Sequence, residues 1–158
     1  MIDTATTQNQ ALAKTIVSVL PLLAKFLQAQ ASGMGNNLIL SQLQILKWLS
    51  FNPMTMSELA HVMDVAKPTM TRTVNALSKR GWVSRNQSAQ DGRVFEISLA
   101  PAGKQVLTEA EQCLTLGLGD FLAPLSVEEK QTVRAGFDIL QRLLQSENGD
   151  RASQTPQT

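Results

Sequence analysis

The sequence predicts a mainly α-helical chain with one small β-hairpin, and three observations carry the prediction. Near both ends of the chain, apolar residues recur at alternating steps of three and four, the spacing of helices packed along a seam. Two capping boxes, Thr55-Met56-Ser57-Glu58 and Ser126-Val127-Glu128-Glu129, each mark a helix start. Only between Trp82 and Leu99 does the apolar period fall to two. At 158 residues the chain suits one domain, or one domain with an extension. That length can hide roughly two-thirds of its unfolded surface without disulfides or a structural metal.

Taken in order, the first nine residues are polar and are expected to fray. A seam then runs Leu12, Ile16, Val19, Leu23, Phe26, and Pro21 inside it is expected to kink the helix or mark a local break. Ser32 to Asn37 reads as a loop. A second helix starts at Leu38, carries broad burial through Leu43, Ile45, Leu46, Trp48 and Leu49, and ends at Asn52-Pro53. Thr55 caps a short helix to about Met63, Asp64-Val65-Ala66 turns the chain, and Pro68 sits in the first turn of a helix that Gly81 stops. Two short helices joined by a tight turn have the layout of a helix-turn-helix. Trp82–Arg85 reads as a strand. Phe95, Ile97 and Leu99 alternate with Glu96 and Ser98 as a half-buried second strand, with Asp91-Gly92 the turn signal between them. The hairpin makes the unit a winged helix-turn-helix. Pro101 opens a long helix through Val106, Leu107, Ala110 and Leu114, weakened at its far end by Gly117 and Gly119. Ser126 starts the last helix, whose seam is Val133, Phe137, Leu140, Leu144. The predicted organisation is an N-terminal helix and loop (10–37), a winged helix-turn-helix (38–104), C-terminal helices (105–146) and a polar tail (147–158).

Composition excludes several functions. Cys113 and His61 are the only cysteine and histidine, so a disulfide scaffold and a zinc finger are out of reach, and neither metal nor cofactor is expected. There is no Gly-rich phosphate loop, no G-x-S-x-G and no tyrosine, which disfavours an enzyme. Aromatic residues are 4% of the chain, too few for a platform that stacks single-stranded bases. The best apolar run, Ile16 to Leu27, is interrupted by Ser18, Pro21 and Lys25, so no membrane span is expected. The first basic side chain is Lys14, which leaves no charged start for a secretory signal, and a free thiol then points to the cytoplasm. Cys113 lies at the edge of an apolar stripe near Glu109, Glu111 and Asp120, which favour a structural thiol over a redox sensor. His61 reads as a surface residue, and Met54, Met56, Met63 and Met70 as core filler.

The net charge of +1 hides an uneven distribution. Residues 1–66 are neutral overall, residues 67–104 carry +5 and residues 105–158 carry −4. Charge alone leaves two readings open: a polyanion-binding patch, or a solvated face paired with the acidic C-terminal third. The helix after the turn favours the first. At about 100° per residue, Val74 and Leu77 fall within about 40° of Met70 and form one apolar stripe. The opposite side holds Pro68, Arg72, Asn75, Ala76 and Lys79, with Thr69 and Thr71 on the flanks and no acid. Such a face can enter a major groove, where Arg pairs with guanine, Asn with adenine, and Thr with phosphate or base. Lys67 and Arg85 extend the cationic surface. Arg93, just past the hairpin turn, can enter a minor groove, with Asp91 fixing its direction by a charge-assisted pair.

These residues resemble the MarR family of winged helix-turn-helix regulators. The similarity runs through Met56-Ser57-Glu58-Leu59-Ala60, Lys67 to Leu77, Lys79-Arg80-Gly81-Trp82-Val83, Arg85, Asp91-Gly92-Arg93 and Leu99-Ala100-Pro101-Ala102-Gly103. It departs where Lys67 and Ala100 replace hydroxyl residues and Asp64 replaces a turn glycine. The resemblance implies a homodimer held by interleaved terminal helices, with the Pro68–Arg80 helix reading double-stranded DNA and Arg93 in the minor groove. It also implies a small anionic or phenolic effector that weakens DNA binding. The pocket is expected where the Leu38–Leu49 helix, the first helix and the reading unit meet, with Trp48 a candidate lining residue.

Dimerisation also follows from the seams, since Leu12, Ile16, Val19 and Leu23 at one end and Val133, Phe137, Leu140 and Leu144 at the other have little else to pack against. The sequence therefore points to a ligand-responsive repressor acting as a homodimer on a pseudo-palindromic site. The competing reading is a winged-helix protein–protein interaction module without DNA binding.

Overall fold

A computed structural model describes residues 4–33, 35, 37–87 and 93–152. The order is α1 (Thr4–Ser32), α2 (Leu40–Phe51), β1 (Met54–Thr55), α3 (Met56–Val62), α4 (Lys67–Lys79), β2 (Val83–Gln87), β3 (Phe95–Leu99), α5 (Pro101–Leu122) and α6 (Val127–Ala152). The chain forms two compact units, Met1–Gly117 and Leu118–Thr158, whose boundary falls inside α5.

The local signals act as the chemistry of the chain ends requires. Thr55 Oγ1 accepts from the Glu58 backbone N–H while the Thr55 N–H donates to the Glu58 carboxylate, closing the first capping box. Asp64 makes the turn between α3 and α4 with φ at +50°, and Gly81 leaves α4 at +72°. Ser126 and Glu129 exchange the same reciprocal bonds at the start of α6. Gln28 joins α1 to α2: its amide accepts from the Leu40 N–H and donates to the Leu38 carbonyl.

The core lies in the first unit. Leu38, Ile45, Leu46, Leu59, Met70, Val74, Leu77 and Ile97 are fully buried, and Trp82, Val83, Leu107 and Ala110 pack with them. Removing a side chain of this kind from water is worth about 1.5–3 kcal/mol. Met70 is buried, while Met54, Met56 and Met63 are half-buried against the cluster, as filler should be. Gly103 brings the first turn of α5 onto the strand entry: a Cβ there would meet the Trp82 carbonyl oxygen at 2.0 Å.

Several expectations need correction. The sheet has three strands, ordered β1-β3-β2 and antiparallel, rather than a simple hairpin. Strand β1 is two residues long, too short to display a period. Phe95 does not alternate inward with Ile97; it is 59% exposed, opposite Gln87 where the wing passes the edge of the core. Helix α1 starts at Thr4 instead of near Leu12 and runs through Pro21 without ending, because the early residues, though polar, include no Gly or Pro. Helix α5 likewise passes through Gly117 and Gly119, and α6 continues to Ala152 past the expected end near 146. Finally, Thr6–Ser32 is long and apolar enough, by length and composition only, to cross a membrane. Ser18, Pro21 and Lys25 interrupt an apolar run but not the helix that carries it.

Candidate nucleic-acid interface

Helix α4 divides cleanly. Met70, Val74 and Leu77 are at most 1% exposed and lock the helix onto the core, while Lys67, Pro68, Thr69, Arg72, Asn75 and Lys79 are exposed on the far side. Thr71 is half-buried at the flank. Ala66 is the N-cap and offers no side-chain hydrogen bond, so Pro68 rather than a cap sets the first turn. Among the described residues, none of Lys67, Arg72 and Lys79 forms an ion pair with an acid.

Two details sharpen what this face can donate and accept. The Thr71 hydroxyl donates to the Lys67 carbonyl at 2.9 Å. Its proton is used, so the group is left to accept a hydrogen bond or to present its methyl. Asn75 Oδ1 accepts a hydrogen bond from Arg85 Nη2, which ties the middle of α4 to β2. Arg80, though basic, lies with its guanidinium 4.6 Å from the Trp82 ring centre and so serves packing at the helix end. Arg93 is exposed two residues before β3. Asp91, its expected support, lies outside the described residues, so that pairing is not described.

The winged arrangement can be compared with known proteins. The family model for MarR matches residues 38–95. An HTH-type transcriptional regulator of Mycobacterium bovis is 31% identical over 106 residues, which are 66% of this chain and 74% of that protein. The chain belongs to the MarR family. A regulator assigned to the hcr operon in Thauera aromatica is 32% identical over 105 residues, 66% of this chain but 61% of that protein. The crystal structure of the transcriptional regulator BldR from Sulfolobus solfataricus superposes with a TM-score of 0.67 at 27% identity, covering 89% of this chain and 99% of that one. The fold is therefore the winged helix of MarR-family transcriptional regulators, which are not enzymes.

Two further surfaces stand out in this MarR-family chain. On α1, Leu12 and Val19 are exposed and Ile16 and Leu23 half-buried, with Val17, Leu20 and Leu22 exposed beside them. On α6, Val133, Phe137 and Leu144 are exposed and Leu140 is half-buried. Each helix thus exposes several large apolar side chains. The second surface is a concavity of about 470 Å³ lined by Gln44, Lys47, Trp48 and Phe51 of α2 and by Val62, Met63 and Asp64 at the end of α3. Trp48 lines this concavity, and no α1 residue does. Trp48 and Phe51 meet edge to face at 6.3 Å, and Lys47 pairs with Glu111 of α5. Sequence reasoning misses Lys47, although its position as the lone charge in α2 is a legible signal.

Cys113 is half-buried and its thiol donates weakly to the Gln30 carbonyl at 3.7 Å, which suits a structural role. His61 is exposed, and no cluster of metal-ligating side chains occurs among the described residues.

Proposed function

We propose that this MarR-family regulator is a sequence-specific double-stranded DNA-binding repressor that acts in the cytoplasm as a homodimer on a pseudo-palindromic operator. The observation that carries the reading is α4: three buried residues fix it while Pro68, Thr69, Arg72, Asn75 and Lys79 face outward with no acid among them. A rigid 13-residue helix with that face fits a major groove, flanked by Thr71 and extended by Lys67 and Arg85. Arg93 on the wing takes the minor groove, with Asp91 orienting it. The second copy covers the apolar faces of α1 and α6 through Leu12, Ile16, Val19 and Leu23 and through Val133, Phe137, Leu140 and Leu144. Lys14 and Lys25 on α1 would be costly in a bilayer and stay solvated beside a protein partner.

Ligand response has its own support. The concavity beside Trp48 offers an aromatic wall and the Lys47 ammonium, which suits a small anionic or phenolic effector competing with Glu111.

The test is charge reversal. Arg72→Glu with Arg93→Glu should abolish binding to a preferred duplex while the thermal unfolding curve is retained. Wild-type affinity in that double variant would refute the DNA reading and favour the protein-partner module. Light scattering should give twice the chain mass at micromolar concentration; a stable monomer, or protein that floats with added lipid vesicles, would refute the homodimer.

A further inference from the structure

We infer that Phe95 is a DNA-contacting residue whose ring packs on a deoxyribose of the backbone strand that separates the major groove from the minor groove. The inference rests on the proposal that α4 enters a major groove and Arg93 the adjacent minor groove. It adds an apolar contact to a surface of charged and hydrogen-bonding groups.

The register of the sheet places the ring. Gln87 lies opposite Phe95, Arg85 opposite Ile97 and Val83 opposite Leu99, and residues paired this way share one face. Ile97 and Val83 are buried in the core, and Arg85 donates to Asn75 of α4, so this face looks toward α4. The other face bonds within itself: Asn86 Nδ2 donates to the hydroxyls of Ser84 and Ser98. It also holds Glu96, the one acid among the described wing residues. Phe95 therefore shares the face of Ile97 but stands one step beyond the core, 59% exposed.

A lone apolar side chain on a surface is ordinary, but the surroundings of this one select an occupant. Arg85 is its diagonal neighbour across the sheet, about 7–8 Å away and within reach of both side chains. Arg93 precedes it by two residues on the outward side. The ring thus lies between two arginines, at the mouth of the notch that the Asn75–Arg85 bond closes at its base. An apolar protein partner seated there would have to bury both guanidinium groups, whereas a polyanion is attracted by them. With α4 in one groove and Arg93 in the next, the strand between the grooves has to cross this notch. That strand alternates phosphate with sugar. The guanidinium groups suit the phosphates, and the C–H groups of the deoxyribose between them are the apolar part of the backbone. Phe95 is held within β3 by its pairing to Gln87 instead of being carried at the hairpin end, so it meets the backbone and does not enter a base step as a wedge would. A sugar contact carries no sequence information, and a neutral ring displaces no counterions. Phe95 therefore adds affinity that neither depends on salt nor selects a base.

The test uses the full-length protein and the duplex that wild type selects from a random pool, with binding measured over a series of salt concentrations. Phe95→Thr removes the ring but keeps a residue that suits a strand, and Phe95→Leu keeps an apolar side chain. Phe95→Thr should bind about five- to twentyfold more weakly at every salt concentration, and Phe95→Leu should fall between it and wild type. The slope of log affinity against log salt and the selected consensus should stay as in wild type, whereas Arg85→Ala should flatten the slope by about one unit. The unfolding midpoint and the light-scattering mass of Phe95→Thr should also match wild type. Wild-type affinity in Phe95→Thr would overturn the inference. So would a flattened slope, which would make the ring a prop for the arginines, an altered consensus, which would make it a base contact, or a lowered mass, which would make it a contact between subunits. A wild type that selects no duplex would overturn the DNA-reading proposal itself, and this inference with it.

Discussion

Gly103 leaves no room for a side chain, because a Cβ would meet a backbone carbonyl and the Leu99 side chain at once. Gly103→Ala should cost about 1–3 kcal/mol, read as a lower urea midpoint. Gly119, in the same helix, has open space around its Cβ position, and Gly119→Ala should raise stability by up to about 1 kcal/mol through helix propensity alone. The sequence presents Gly119 as a helix-weakening glycine and Gly103 only as the end of the Leu99–Gly103 motif; the approach of the Trp82 carbonyl is what sets Gly103 apart. The same limit applies to the reading face. Met70, Val74 and Leu77 were legible as the buried stripe, since period alone fixes which side is inward. The bond from Arg85 to Asn75 was not, because the two lie on different elements and no periodicity relates them.

At the scale of elements, the two capping boxes show how much local chemistry decides. Thr55→Ala should destabilise the first unit by about 1 kcal/mol, measured by denaturant unfolding. At α6, the Glu128 carboxyl is held below its ordinary 4.5, chiefly by a hydrogen bond from its own backbone and then by the Ser126 hydroxyl. A depressed folded-state value means this contribution is present above about pH 4.5 and is lost as pH falls through the lowered value. Ser126→Ala should move the Glu128 titration, followed by NMR, up toward 4.5; an unmoved titration would contradict the bond. Elements with strong end signals were legible in order and type: α3, the turn at Asp64, α4, the wing strands and the start of α6. The misreadings fell where signals are weak or act at a distance. Strand β1 forms because β3 offers it an edge at Ile97 and Glu96. Phe95 belongs to an alternating strand but lies beyond the core that would bury it.

For the whole molecule, the question is what the exposed apolar and cationic surfaces meet. Phe137, 57% exposed on α6, is a single-site test of assembly. Phe137→Glu should shift light scattering toward the monomer and weaken binding to a two-half-site duplex by more than about tenfold, since a dimer engages both half-sites together. Affinity should fall as salt rises, and Lys79→Ala should flatten that dependence by about one unit for each phosphate the side chain neutralises. The two seams and the basic middle third were legible from spacing and charge, but which surfaces they meet was not, because a sequence shows an apolar face without showing what covers it. Whether α4 reads sequence in duplex DNA is decided by selecting bound duplexes from a random pool at physiological salt. The expected result is a two-fold-symmetric consensus whose half-sites are about one helical turn apart. Recovery of no consensus, with binding that vanishes steeply as salt rises, would contradict it and leave only attraction to the phosphate backbone.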